Sequence, residues 1–307
     1  MARKLFSGIV ALILVAGFIM VSVQAMAAEE KKPEQFVGIL AYRTGPFAAG
    51  GSGFSSGKED FMALINARGG INGKIMYKWE ECETAYNTER GVECYNRFRD
   101  RMAFVHPLST GITYALIPKG IPKGTEDNIT VISGGYGRAD ASDGRVFPWV
   151  FTVPTNYWSQ NTAKIKWIAM KEGWDGKDMA TIGKALKGLK IANLHIDVPY
   201  GQETKPILDA MAEKFGFQIR HFPVPWPGID QKAQWMDIAR RYKADWVINR
   251  NWGVSCTVPL KEAARLGFPK TCCRPDLRPK VTGPPTSMVS AGIFQSFKKR
   301  LIRFMAP

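Results

Sequence analysis

Short apolar runs alternate with amphipathic stretches from Gln35 to Leu266, and this alternation limits what the chain can fold into. The apolar runs fall at 35–40, 75–79, 102–105, 128–133, 190–196, 218–224 and 246–249. The stretches between them carry apolar residues at helical spacing: 58–68, 88–101, a run after Gly111, about 157–171, 203–215, 231–242 and 258–266. Strand, helix and strand joined by short links form parallel sheets covered by helices. An extended aromatic segment, 146–153, ends at Pro154 and interrupts the rhythm once. The expectation is an α/β protein with two doubly wound parallel-sheet lobes, 28–153 and 154–270, and a crossover near 153–156. The 307 residues are enough for two such lobes, and the 45% hydrophobic content is that of a globular chain.

Both ends depart from this pattern. Arg3 and Lys4 precede an uncharged apolar stretch, 5–23, which runs into Ala25-Met26-Ala27. A basic start, an apolar centre and a small-x-small exit make residues 1–27 a cleavable secretory signal peptide. The alternative is an uncleaved membrane anchor. At the other end, residues 271–307 lose the alternation, and four prolines fall within 275–285, which excludes an ordinary helix or central strand there. This tail is expected to be a foreign or frameshifted end. Its other reading is a basic amphipathic helix at 293–305 lying on a membrane surface.

The net charge of +15 is spread unevenly. The signal segment holds two of these charges and the tail a net six, which leaves a moderately basic body. The body has no clustered basic helix, zinc-finger spacing or aromatic RNA motif, so no nucleic-acid partner is expected. Of five cysteines, Cys82 and Cys94 lie twelve apart in one polar segment and form the best pair. Two free thiols or a metal site are the alternatives. Zinc is disfavoured by the lack of a CxxC pair or a nearby histidine. The adjacent Cys272 and Cys273 cannot readily bridge each other.

Ligands of open α/β sheets sit at the C-terminal ends of strands. Those positions here hold Ser109 and Thr110, Tyr136 and Gly137, Tyr200, and Asn251 with Trp252. Ser109-Thr110 opens a helix, whose free N–H groups and positive potential suit a carboxylate; plain helix capping is the other role for these hydroxyls. Each residue alone fits a structural role, and their recurrence at four equivalent places favours a small polar ligand. Enzyme signatures are missing: there is no GxSxG elbow, no HExxH and no phosphate loop. Gly51-Ser52-Gly53-Phe54-Ser55-Ser56-Gly57 stands too far from its strand, at the wrong spacing, for a dinucleotide. No cofactor, metal or catalytic residue is expected.

Several segments, in this order, resemble the branched-chain amino-acid-binding type of exported substrate-binding proteins of ABC transporters. They are Gly45-Pro46-Phe47, Gly69-Gly70-Ile71-Asn72-Gly73, the Cys82–Cys94 segment, Pro107-Leu108-Ser109-Thr110, Asp197-Val198-Pro199-Tyr200-Gly201 and the stretch from Leu260 to Gly267. The resemblance covers about 36–270 and implies the type I periplasmic binding fold, with ligand held between the lobes. It makes Ser109 and Thr110 the carboxylate-binding pair, Tyr136 and Gly137 the next ligand loop, Tyr200 the second-lobe residue that closes over the ligand, and Asn249 to Trp252 a further cleft loop. It also implies a monomeric periplasmic protein that presents a small-molecule ligand to a membrane permease and performs no chemistry. The family's ammonium-pairing acid would fall after Lys270, where the resemblance stops, so an incomplete second lobe and weak or no binding are expected. A ligand-sensing receptor of the same fold, a non-functional truncated product and a periplasmic enzyme are the remaining readings.

Overall fold

The computed structural model describes residues 32–117, 129–267 and 280–282. The proposed signal segment lies outside these residues, as does all of the tail except 280–282. The first unit contains β1 (Glu34–Ala41), α1 (Ala48–Ala67), β2 (Met76–Glu83), α2 (Thr88–Phe98), β3 (Phe104–Val105), α3 (Thr110–Leu116), β4 (Thr130–Ser133) and β5 (Val150–Thr152). β1 pairs with β2 in parallel, opposing Val37 and Trp79; β3, β4 and β5 pair in parallel in that order, and β3 lies against β1. The second unit contains α4 (Tyr157–Lys171), α5 (Ile182–Leu186), β6 (Lys190–Ile196), α6 (Pro199–Gln202), α7 (Lys205–Phe215), β7 (Gln218–Val224), α8 (Lys232–Met236), β8 (Trp246–Arg250), α9 (Val258–Arg265) and β9 (Lys280–Thr282). Its strands are all parallel in the order β7-β6-β8-β9.

Side-chain alternation along the strands divides the second core into two layers. Ile191, Trp246 and Ile248 pack with Ile165, Ile168, Leu186 and Leu208 on one face. Ala192, Leu194 and Val247 pack with Trp235 and Ile238 on the other. Burial on both faces explains why these strands read as near-continuous apolar runs. In the first unit Leu40, Phe98, Ile112 and Val131 share one core beneath α2 and α3. Val37, Ile39 and Met62 form a smaller one beneath α1.

Several elements differ from the sequence expectation. α1 begins at Ala48, ten residues before the predicted start, and takes in most of the glycine-rich stretch expected to be a loop. The reason is tertiary: a side chain at Gly51 would meet the Tyr42 carbonyl oxygen at 2.1 Å, so only glycine lets this helix approach β1's end. The helix expected over 203–215 begins at Lys205, and the 197–201 loop ahead of it contains a separate short helix, α6; both have proline in their first turn. The stretch 231–242 is α8 followed by a π-helical turn at Asp237–Tyr242. Within the tail, 280–282 forms a three-residue strand at the sheet edge, the position where nearby prolines are tolerated. Among the described residues no helix is long and apolar enough to cross a membrane.

Candidate functional site

Each sheet starts in its middle, so neighbouring strands diverge into loops at one point. These points lie between β1 and β3 in the first unit and between β6 and β8 in the second. Such switch points open a crevice at the strand C-termini. The loops from both crevices face each other here and share one aromatic cluster: Tyr42, Phe47 and Leu108 from the first unit, and Tyr157, Ile196 and Tyr200 from the second. Tyr86, Tyr136 and Trp252 border it.

The first wall is held by strained backbone. Ala85 and Tyr86 both have positive φ, 50° and 62°, in a turn where Tyr86 N–H donates to Thr84 Oγ1 at 3.2 Å. That turn stands Tyr86 edge-on to Tyr42 and Phe47, with ring centres 5.1 and 4.6 Å away. Its hydroxyl reaches Ser109 and the backbone of Thr110. Leu108, at φ 55°, donates its N–H to the Tyr136 hydroxyl at 2.6 Å. Ser109 is the N-cap of α3, its Oγ accepting from Ile112 N–H at 3.4 Å. Burial raises the hydroxyl pKa of Tyr42, Tyr86, Tyr136 and Tyr157, so all four stay neutral donors at physiological pH. His106 beside Tyr136 is also neutral, because burial pushes its pKa well down.

The second wall is built on the ends of β6 and β8. Tyr200 on α6 donates to Asn251 O at 3.3 Å and packs edge-on against Tyr157, with ring centres 5.6 Å apart. Arg250, the last residue of β8, is fully buried against both rings. Trp252 packs against the cluster that holds Tyr42 and covers Gly50 of α1. The walls meet directly. Thr110 Oγ1 lies 3.3 Å from the Tyr157 hydroxyl, Val254 N–H donates to Pro46 O at 3.2 Å, and Ala139 N–H donates to Glu203 Oε1 at 2.8 Å.

The structure thus brings Ser109, Thr110, Tyr136, Tyr200 and Trp252 to one interlobe cluster. It places Gly137 behind that cluster, against Ser133 and Thr113. It turns the Asn251 amide inward, toward Asn249 Oδ1 at 2.7 Å and the Leu194 carbonyl at 3.5 Å. Sequence reasoning took in Arg250 only as part of the 249–252 loop, with no role of its own, and missed Tyr157, Tyr42 and Tyr86. A usable signal existed for Arg250: a charge ending the buried run Trp246-Val247-Ile248-Asn249 has to meet something at the strand's C-terminal end.

Burial raises the Glu203 carboxyl to about 7, although the Ala139 N–H and Arg250 act to lower it. The folded chain therefore keeps this proton between about 4.5 and 7, where the unfolded chain has released it. Stability from that proton is complete below the unfolded value and is lost as pH rises through 7. Glu203→Gln keeps an acceptor for Ala139 without the charge. At pH 8 it should raise stability by on the order of 2 kcal/mol, or about 4 °C in melting temperature, and at pH 4.5 it should change little. Thermal melts of both chains across that range check this.

A family model described as periplasmic binding protein matches residues 34–273. A solved structure of an ABC transporter permease from the Pseudomonas fluorescens group is 40% identical, with a TM-score of 0.64; the match covers 77% of this chain and 55% of that one. A branched-chain amino acid ABC transporter from Thermus thermophilus with bound valine is 20% identical at TM-score 0.64, over 77% of this chain and 57% of the other. A fatty acid ABC transporter substrate-binding protein from Thermomonospora curvata is 17% identical at TM-score 0.60, over 76% and 55%. The chain thus spans little more than half the length of these structures. No curated protein matches it. Two parallel α/β units facing each other across their switch points agree with the family match: the chain belongs to the periplasmic binding protein family.

Proposed function

We propose that this chain is the exported solute-capturing component of an ABC transporter. It binds a small polar ligand, an amino acid or a related carboxylate or amide, between its two lobes. One observation carries the reading: hydroxyls and rings from both lobes converge on one interlobe cluster, where the Thr110 and Tyr157 hydroxyl oxygens meet at 3.3 Å. Ser109 and Thr110 offer hydroxyls from the first lobe, Tyr136 and Trp252 form walls, and Tyr200 closes from the second. Gly137 and Asn251 shape the loops that hold these side chains. The relatives' valine and fatty acid both carry a carboxylate, which supports a ligand of that kind.

The mechanism is closure without chemistry. A ligand that touches both walls binds the closed arrangement better than the open one and shifts the population toward it. The crossover at 153–156, between β5 and α4, is where the lobes would turn. A membrane permease then recognises the closed form. The site of action is the periplasm, and the working unit is a monomer.

Calorimetry of the full chain against amino acids and short organic acids, with solution scattering to detect compaction, tests the proposal. If no member of the panel binds or compacts the chain, it fails. One variant separates the two roles of Ser109. Glycine is nearly as good an N-cap as serine, so Ser109→Gly should change stability by only a few tenths of a kcal/mol. The same variant removes a ligand hydroxyl and should weaken binding about tenfold.

A further inference from the structure

Arg250 is a buried cation whose hydrogen-bonding capacity the protein leaves largely unused. Its relative exposure is 0%, and its guanidinium carbon lies 3.8 Å from the Tyr157 ring centre and 3.9 Å from that of Tyr200. Its Nε–H donates to the Tyr200 carbonyl at 3.3 Å. Nη1 and Nη2 are both buried and have no hydrogen-bond partner among the described residues. A guanidinium carries five N–H donors, and leaving a buried charge uncompensated is strongly unfavourable.

The neighbours do not supply the missing anion. Glu203 gives an oxygen to Ala139 N–H and makes no ion pair with Arg250 among the described residues. Lys164, on α4 with Tyr157, has the same sign as Arg250, and its pKa is pushed down to about 7 by burial and by Arg250's charge. The Tyr157 hydroxyl is engaged with Thr110. Two rings lie against the guanidinium and Nε is bonded, so the Nη1–Nη2 end remains. That end is the planar fork that takes a carboxylate through two parallel N–H···O bonds.

We propose that the cleft selects a small organic carboxylate with an apolar body, the carboxylate seated on Nη1 and Nη2 of Arg250 and the body against Tyr42, Phe47 and Trp252. This rests on the solute-binding reading above and names its substrate class. A site built to pair a guanidinium rejects the neutral amide of the same shape, because the amide leaves the cation uncompensated. No ammonium is needed on the ligand.

The test is calorimetry of the full chain with benzoate, isovalerate and leucine, each measured beside its primary amide. At least one carboxylate should bind at least 100-fold more tightly than its amide. In Arg250→Met, binding of that carboxylate should fall at least 100-fold. The unliganded variant should melt no lower than wild type, since an uncompensated buried charge is gone. Arg250→Lys keeps the charge without the fork and should lose at least tenfold, which preserves the test if the methionine variant fails to fold. Binding unchanged in a folded Arg250 variant, or an amide that binds as tightly as its acid, overturns the carboxylate assignment and leaves the solute-binding reading standing. A folded wild-type chain that binds no panel member overturns both.

Discussion

Gly201→Ala should destabilise the chain by on the order of 3 kcal/mol, lowering its melting temperature by roughly 6–12 °C, and should reduce ligand binding as well. Gly201 lies in α6, which folds back directly onto the end of β6. A Cβ placed there would stand 1.9 Å from the Ile196 carbonyl oxygen and 2.9 Å from its carbon. Both atoms are backbone of a strand fully packed on both faces, so neither can rotate aside; helix or strand has to move. Tyr200 is the adjacent residue. Its carbonyl accepts from Arg250 Nε–H, and its ring lies against the guanidinium. Displacing α6 therefore displaces the second wall of the cleft. Gly53→Ala and Gly57→Ala on α1 are the controls, because a Cβ at either meets no atom within 4 Å. Those variants should be neutral or stabilising by about 0.5–1 kcal/mol. Melting curves of the three variants decide the matter: a Gly201→Ala chain that melts with the controls rules out the close approach.

The same geometry explains what could be read from the chain and what could not. The strands β6 and β7 fall where the apolar runs put them: β6 is buried on both faces, and the edge strand β7 still buries Phe222 and Val224, so each leaves a signal that needs no neighbours to interpret. The start of α1 could not be read. Gly50, Gly51, Gly53 and Gly57 have the composition of a loop, and the helix exists because two of them make room for Trp252 and Tyr42. A propensity argument has no access to that contact. The loops of the candidate site were legible by position alone, since strand ends in an α/β pattern point to one rim. Side-chain direction was not: Asn251 lies in the expected loop, yet its amide faces its own sheet. Arg250 shows the limit most clearly. In sequence it is a charge at the end of a strand, free to reach solvent. Only the return of α4, from well upstream, places Tyr157 against it and encloses it.

Reducing the Cys82–Cys94 bond should cost about 3 kcal/mol and lower the melting temperature by roughly 6–12 °C. The sequence left free thiols and a metal site open; the structure joins the two sulfurs, with Cα atoms 5.7 Å apart across twelve residues. The bond ties β2, an edge strand, to α2, where Cys94 is buried in the core with Phe98 and Ile112. The loop it closes contains the Ala85–Tyr86 turn with its two positive φ angles. Unfolded, a loop of that length has many arrangements, and the cross-link removes most of them before folding begins. Once the link is broken, that turn has to be held by its hydrogen bonds to Glu83 and Thr84 and by packing. Because Tyr86 presses against Phe47 and reaches Ser109, loosening it should also weaken ligand binding. The Cys82→Ala, Cys94→Ala double variant should match the reduced wild type in both respects and be indifferent to reductant. Two titratable thiols at these positions in protein purified without reductant, or melts that reductant does not shift, would rule out the bond.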